Sequence, residues 1–198
     1  MSSRTRSRGT RWAAWAGGVL LTAAAFATWH LTPVSTLSYS VAAVRYPFDV
    51  HMAVGEPARG RTVIAEVEQV AGAGEVDTGD EVLGGTWVVV DLVLDATGAD
   101  PRTSLDLAEL VIGAATYTPT ERLAGTLDGS TVAAGLPRRG SIVFEIPADT
   151  AHGSARLRIG DDPLVRLGDR LVLDIDLDEL DFDGTVVVEP AAYAEAAG

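Results

Sequence analysis

The chain has 198 residues, no cysteine and a formal net charge of −13 at pH 7. The lack of cysteine excludes disulfides, thiolate metal sites, a cysteine nucleophile and a cysteine-linked lipid anchor. All 15 basic residues are arginine, and four of them precede the first apolar run, so the rest of the chain sets 11 arginines against 28 acidic residues, a net charge of −17. Nucleic acid and anionic lipid head groups repel so acidic a domain, which excludes nucleic-acid binding.

The N-terminus has the pattern of a membrane anchor. Residues 1–11 are a short basic tail, and residues 12–31 are apolar, with no acidic residue or arginine. A helix of about 20 residues covers about 30 Å, the thickness of a bilayer core. Trp12, Trp15 and Trp29 occupy the ends, where interfacial aromatic residues belong. By the positive-inside rule, we predict a single-pass signal anchor, with the N-terminus cytoplasmic and the C-terminal domain outside the cell membrane.

A cleavable signal peptide is the alternative interpretation of the same segment. The basic start, the alanine-rich core and a small-x-small site at residues 25–27 all fit it. Trp29, just past that site, and the full spanning length favour the uncleaved anchor. Both interpretations deliver the domain to the same side of the membrane.

The first strands are predicted after a polar stalk. Residues 32–60 are interpreted as this stalk and a first edge strand, with Pro33 ending the preceding helix. Residues 62–70 alternate between apolar and polar, which is typical of a strand. Residues 71–85 are rich in glycine and acidic residues and are interpreted as a connection.

The longest and most apolar strand candidate covers residues 87–95. One face carries Val88, Val90, Leu92 and Leu94, and the other carries Trp87, Val89, Asp91, Val93 and Asp95. We predict that this strand is central in its sheet, with the first face on the core. Trp87 is interpreted as a packing residue rather than a platform for a sugar.

Shorter strand candidates continue to the C-terminus. They cover residues 105–112, 116–118, 140–147, 155–159, 171–177 and 185–189, and residues 121–134 look irregular. In the clearest alternation, Leu171, Leu173, Ile175 and Leu177 face inward. Seven to nine short strands with regular turn signals predict an all-β fold, an immunoglobulin-like antiparallel β-sandwich over residues 61–190. Residues 191–198 are predicted to form a flexible tail.

Several of these segments also resemble a known family. They are GTWVVVD at 85–91, ATGADP at 96–101, GLP at 135–137 and IVFEIP at 142–147. Together they resemble the DUF4352 family, a telokin-like, immunoglobulin-like domain of bacterial secreted and membrane-anchored proteins. That family usually has asparagine where this chain has Ala96, and Pro-Gly near residues 135–137. The resemblance covers about residues 61–177 and implies a fold and an extracytoplasmic location, but no catalytic or binding residue.

The acidic run at 174–184 is the strongest candidate for a binding site. Calcium prefers several hard oxygen ligands from one flexible loop. The candidate calcium ligands are Glu179, Asp181, Asp183 and Glu189. They depart from the EF-hand template, because the first ligand is glutamate and the last comes one residue early. The alternative is a strand with solvated carboxylates that ends in a turn at residues 183–184.

No catalytic signature is visible in the sequence. The three histidines, His30, His51 and His152, are scattered, and no G-x-S-x-G elbow is present. Arg138 and Arg139 form a small basic patch. We therefore predict a non-catalytic interaction or accessory module that residues 12–31 anchor in the lipid bilayer. Its predicted partner is an envelope or membrane protein. The alternative function is a secreted or anchored domain that binds calcium or a small ligand through residues 174–189; no other cofactor is predicted.

Overall fold

The computed structural model describes residues 48–98, 102–162 and 168–194. All of them lie in the second of the two units into which the chain divides, Ala43–Gly198. The predicted cytoplasmic tail and transmembrane segment, and residues 32–47 of the predicted stalk, lie outside the described residues. Within the described ranges, no helix is long and apolar enough to span a bilayer.

The described residues form thirteen strands, two short 3-10 turns and no α-helix. In chain order the strands are β1 (Phe48–His51), β2 (Pro57–Arg59), β3 (Val63–Asp77), β4 (Val82–Ala96), β5 (Arg102–Ser104), β6 (Leu107–Ile112), β7 (Ala115–Tyr117), β8 (Thr131–Ala133), β9 (Arg138–Glu145), β10 (Ser154–Gly160), β11 (Asp169–Asp176), β12 (Thr185–Val187) and β13 (Ala192–Tyr193). The 3-10 turns are Ala148–Thr150 and Leu177–Glu179. Seven of these strands have four or more residues, which agrees with the predicted seven to nine strands. The six strands of two or three residues bring the total above that prediction.

Two sheets form the sandwich. The first has the strand order β1-β11-β10-β6-β7, and the second has the order β12-β3-β4-β9-β13, with β2 also paired to β3. β4 is the middle strand of the second sheet, as predicted from its apolar composition, and β5 and β8 form a separate ribbon. β1 pairs with β11, and β12 with β3, in parallel. The prediction of a purely antiparallel sandwich is therefore wrong at these two edges.

The main core lies between the inner faces of the two sheets. From β4 it takes Val88, Val90, Leu92 and Leu94, and from β11 and the following turn it takes Leu171, Leu173, Ile175 and Leu177. Both predicted inward faces are thus confirmed, because period-two alternation puts every second side chain on the same face of a strand. Each fully buried aliphatic side chain contributes about 1.5–3 kcal/mol, so this layer dominates the stability of the domain.

The sandwich begins earlier and ends later than predicted. Residues 48–60, predicted as the end of a stalk with a first edge strand, contribute the edge strand β1 and the short strand β2, which pair with β11 and β3. Ala192 and Tyr193 pair with Arg139 and Arg138 of β9, where a flexible tail was predicted. Short strands of two or three residues carry too little alternation to be recognised in a sequence.

The predicted connection at residues 71–85 is also wrong, because β3 and β4 form one long hairpin with a turn at residues 78–81. Gly72 and Gly74 lie inside β3. A Cβ atom on Gly72 would lie 2.9 Å from the carbonyl oxygen of Asp181, and one on Gly74 would lie 2.7 Å from that of Phe182. Glycine is required here because another stretch of backbone crosses the strand, and not because the chain turns.

An ion pair holds the parallel edge strand β1. Arg170 of β11 donates from Nε to Asp49 Oδ1 at 2.6 Å and from Nη2 to Oδ2 at 3.3 Å. The two residues are direct register partners. The hydrogen bond from Arg170 lowers the pKa of Asp49 below its usual value of 3.8, against the opposing effect of burial.

We expect Asp49→Asn to lower the free energy of unfolding at pH 7 by about 0.2–1 kcal/mol, the range measured for ion pairs near the surface. Because the folded pKa of Asp49 lies below its unfolded value, the pair stabilises the fold above pH 3.8. That contribution is lost as the pH falls through the folded pKa. The free energies of unfolding of the variant and the parent, measured with urea, should therefore converge in acid. A difference between them that stays constant well below pH 3.8 would contradict this role.

Candidate functional site

The outer face of the second sheet changes from apolar to polar along β4. Trp87 and Val89 alternate with core residues and therefore point away from the main core, and Asp91 and Val93 follow on the same face. Trp87 and Val89 are fully buried. A second layer must therefore cover this end of the outer face.

That layer is a small outer core. Its members are Ala73, Val76, Trp87, Val89, Leu123, Val143 and Val188. The guanidinium of Arg122 lies 5.3 Å from the centre of the Trp87 ring and forms an ion pair with Glu145 at 2.8 Å. Trp87 is thus a packing residue, as predicted, although it belongs to the outer core and not to the main one.

The C-terminal segment crosses the outer face. β12 pairs with β3 on one side of β4, and β13 pairs with β9 on the other, so the chain between β12 and β13 must pass over the sheet. Val188 is buried in the outer core, and its N–H donates to the carbonyl of Asp77. At the far side, the N–H of Ala191 donates to the carbonyl of Gly125. We call residues 185–194 the C-terminal strap.

A groove of about 430 Å³ lies between the strap and the polar end of the outer face. Its floor includes Glu68 of β3, Asp91 of β4, and Arg139 and Ser141 of β9. The strap contributes Val187, Glu189, Pro190 and Tyr193. We call this hollow the strap groove; it is the candidate functional site because it combines a concave shape, exposed apolar surface and unevenly distributed charge.

The floor of the strap groove is organised by two polar contacts. The hydroxyl of Ser141, a residue only 4% exposed, donates to Asp91 Oδ1 at 2.5 Å. Arg139 forms an ion pair with Glu68 Oε1. Glu68 lies where the register of β3 against β4 shifts, and such bulges re-aim side chains. These contacts fix the floor residues in place while leaving acceptor capacity on the carboxylates, each of which has about four lone-pair sites.

The strap side of the groove is exposed. Val187 is 62% exposed and Tyr193 is 75% exposed. Tyr193 is the register partner of Arg138, which pairs with Leu94 of the inner face, so the Tyr193 ring lies on the side of the sheet opposite Asp91. The Arg138 guanidinium lies 5.8 Å from the ring centre and donates to the carbonyl of Ala191 at 3.3 Å. Glu189 is exposed and has no hydrogen bond or ion pair with another described residue. The rim thus offers apolar surface next to an unneutralised carboxylate.

The predicted calcium ligands are not brought together. Glu179 ends a 3-10 turn, and Asp181 Oδ1 accepts from the backbone N–H of Asp183 at 2.9 Å. Glu189 lies on the strap. In the part of the chain that the structure describes, no three carboxylate or histidine side chains are grouped so that they could hold a metal ion. The carboxylates of this run instead close turns and face solvent.

The other residues singled out in the sequence are also separated. Arg139 pairs with Glu68, whereas Arg138 lies against Tyr193, so the two arginines do not form one anion site. His51 is exposed on β1, and His152 is exposed before β10. None of the described residues that line the strap groove is a histidine.

Sequence reasoning missed the strap groove because its residues come from five strands, β3, β4, β9, β12 and β13, that span most of the described chain. Two signals were present. Asp91 marks the point where the outer face of β4 becomes polar, and Tyr193 is a lone aromatic residue in an alanine-rich segment. Neither signal indicates that the strap returns across the sheet, so that both residues line one groove.

The chain matches no family model and no curated protein. Among solved structures, it is similar to an uncharacterized β-sandwich protein from Clostridium difficile 630. The identity is 11%, the match covers 66% of this chain and 97% of that chain, and the TM-score is 0.45. By the pairing of its own strands, the described part of the chain is an all-β sandwich.

Proposed function

We propose that this protein is a membrane-tethered, extracytoplasmic β-sandwich that binds another protein at the bacterial cell envelope and has no catalytic activity. The strap groove carries the proposal. Val187 leaves more than half of its surface exposed beside a hollow of about 430 Å³. Exposed apolar side chains around a concave surface are typical of protein-interaction sites.

The proposed extracytoplasmic location of the sandwich is supported by the sequence. The apolar run at residues 12–31 is preceded by four arginines and no acidic residue. This pattern favours an anchor with the sandwich on the outer side of the membrane. The absence of cysteine means that a cysteine-linked lipid cannot supply the tether instead.

We infer further that the sandwich is of the immunoglobulin-like kind and related to the DUF4352 family. The chain passes repeatedly between the two sheets: β3 and β4 lie in the second sheet, β6 and β7 in the first, β9 in the second again, and β10 and β11 in the first again. Such alternation between sheets is a feature of Greek-key sandwiches. This supports the inference alongside the sequence segments that resemble the family.

Site-specific photocrosslinking in native membranes tests the interaction. A photoreactive phenylalanine analogue replaces Val187 or Glu189 in the full chain, and Thr116 on β7 of the other sheet serves as the matched exposed control. We expect the same partner protein to be crosslinked from both groove positions and not from Thr116. Equal crosslinking from all three positions, or none from the groove, would argue against an interaction module built on this groove.

Mass spectrometry of the N-terminus of the same purified protein tests the membrane anchor. We expect residues 1–31 to be intact and the protein to be recovered from the membrane fraction. A mature protein that begins near Thr28 would instead indicate a secreted domain.

The calcium-binding alternative has less support, because its four candidate ligands are not grouped in the described part of the chain. Thermal unfolding with and without millimolar calcium distinguishes the two functions. A ligand that binds only the folded state raises the apparent stability by RT ln(1 + [L]/Kd), so a clear rise in Tm with calcium would favour the alternative.

A further inference from the structure

We propose that the free edge of β4 at residues 82–85 binds an extended segment of another protein, which adds to the second sheet as a further β-strand. This surface is separate from the strap groove and does not depend on it. β9 pairs with β4 only as far as Trp87. The last backbone hydrogen bond on that side runs from the N–H of Ile146 to the carbonyl of Thr86 at 2.9 Å.

Beyond that bond, β4 is paired on one side only. Residues 82–84 are in register with β3, and no described strand pairs with their other side. Val82 is 55% exposed, and Gly84 and Gly85 are exposed as well. An open strand edge presents backbone N–H and C=O groups that a further strand satisfies. The backbone of this edge therefore specifies its ligand as a polypeptide in extended conformation.

The free edge of β4 differs from the other edges of the sandwich. The edge strands β7, β12 and β13 have only two or three residues, and β1 carries Asp49 and His51. Prolines follow β7 and β12 closely, at Pro119 and Pro190. Short strands, charges and prolines are devices that prevent pairing between edges. Residues 82–85 contain no charge and no proline, and they belong to a strand of 15 residues that β3 holds in place.

Two glycines leave this edge open. A Cβ atom on Gly84 would meet no atom within 4 Å, so nothing in the described structure covers this position. A Cβ atom on Gly85 would lie 2.8 Å from Nε1 of Trp87, so the indole lies directly against the backbone of the edge. That indole N–H is buried and has no acceptor among the described residues, whereas a buried tryptophan N–H usually finds one. A strand added opposite Gly85 brings new acceptors close to this donor.

Charge selects the kind of segment that this edge accepts. The exposed residues Asp80 and Glu81 lie in the turn next to the edge, and the whole domain is strongly acidic, so an acidic strand and a second copy of the chain are repelled. A second copy paired antiparallel would also bring its own acidic turn towards Ile146, which lies at the end of β9. The occupant is therefore a neutral or basic segment of another protein, with β-branched or aromatic side chains beside the glycines.

The experiment is a binding titration of the full-length protein in detergent micelles. The probe is the fluorescein-labelled peptide Arg-Val-Thr-Tyr-Thr-Val-Arg, which is basic and favours an extended conformation. The matched control peptide carries an N-methyl group on each central amide, which keeps the side chains and removes the backbone donors. Fluorescence anisotropy is followed up to millimolar protein. We expect the probe to bind and the control to bind at least about tenfold more weakly, because strand addition depends on backbone hydrogen bonds.

Hydrogen exchange of the parent protein localises the bound probe. The backbone amides of residues 82–85 should exchange at least about threefold more slowly with the probe at saturation. Those of β12, which pairs with β3 on the other side of the hairpin, should be unchanged. This measurement locates the site without any substitution.

Substitutions at Gly84 test the edge independently. Gly84→Pro removes a backbone N–H and adds a ring at the edge, and it should weaken binding at least about tenfold. Gly84→Ala keeps the N–H and should leave binding within about threefold. Circular dichroism checks that both variants are folded. If Gly84→Pro does not fold, hydrogen exchange of the parent protein decides the location.

Three results overturn the inference: no binding of the probe, equal binding of the N-methylated control, or slower exchange at β12 and not at residues 82–85. Sedimentation of the protein without the probe gives a further check. A dimer in which residues 82–85 are protected would make a second copy the occupant and would contradict the proposed partner segment. Crosslinking from Val187 and Glu189 tests the strap groove separately, so the failure of this inference and that of the proposed function are distinguishable.

Discussion

Replacing Trp87 by alanine is expected to lower the free energy of unfolding by about 3–5 kcal/mol. Trp87 is the largest fully buried side chain of the described residues. It packs in a layer to which β4, the loop that carries Leu123 and the C-terminal strap all contribute. Its removal therefore leaves a cavity between these elements. Since small domains are stable by only about 5–15 kcal/mol, the loss is a large fraction of the total.

Two further variants make this result specific. Trp87→Phe should cost less than alanine, because it keeps an aromatic ring and removes an indole N–H that is buried without a partner in the described residues. Leu136→Ala alters a side chain that is 56% exposed and should change stability by no more than about 0.5 kcal/mol. Urea unfolding of the full-length protein in detergent, followed by circular dichroism, measures all three. If Trp87→Ala were as mild as Leu136→Ala, the strap and the loop would not cover the outer face.

The inner faces of the sandwich could be predicted from the sequence because they depend on a local rule. Leu171, Leu173 and Ile175 lie at every second position of one short segment, and a strand has no other way to bury all three on one face. The same rule placed Val88 and Leu92 in the main core. Each of these predictions used only neighbours in the sequence.

The outer core could not be predicted because it depends on which distant segment covers a face. Val89 is a good strand residue on either a buried or an exposed surface, and nothing near it indicates that Val188 will pack on it. The glycines of β3 led to the wrong prediction of a connection at residues 71–85 for a related reason. Glycine marks both turns and close crossings, and only the tertiary structure shows that Gly72 lies beneath the backbone near Asp181.

The strap groove could not be predicted for the same reason, since one of its walls is the strap. The acidic run at residues 174–184 is visible in the sequence, but the predicted calcium site groups its carboxylates only by their spacing along the chain. In the structure, Asp181 accepts the N–H of Asp183 and closes a turn, whereas Glu189 lies further along, on the strap. Spacing within one segment predicts a metal loop only if that segment curls around a point, and this one continues into β12.

Gly74→Ala is expected to lower the free energy of unfolding by about 1–3 kcal/mol, the range for overpacking a well-packed site. The added Cβ would lie 2.7 Å from the carbonyl oxygen of Phe182. A backbone atom cannot rotate away as the end of a side chain can, so the crossing segment must shift. That shift strains the bond from the N–H of Gly74 to the carbonyl of Gly184, which is 2.8 Å long and leads directly into β12.

Gly84→Ala is the matched control for this prediction. Gly84 also lies within the long hairpin, on β4, but a Cβ there would meet no atom within 4 Å, and its φ is not positive. Alanine at that position should be neutral or should stabilise by up to about 1 kcal/mol, because it restricts the unfolded chain. Urea unfolding of the two variants in parallel separates the crossing from a general effect of glycine replacement. If both substitutions were harmless, residues 180–184 would not cross β3, and the strap could not enter the outer face along the path that forms the groove.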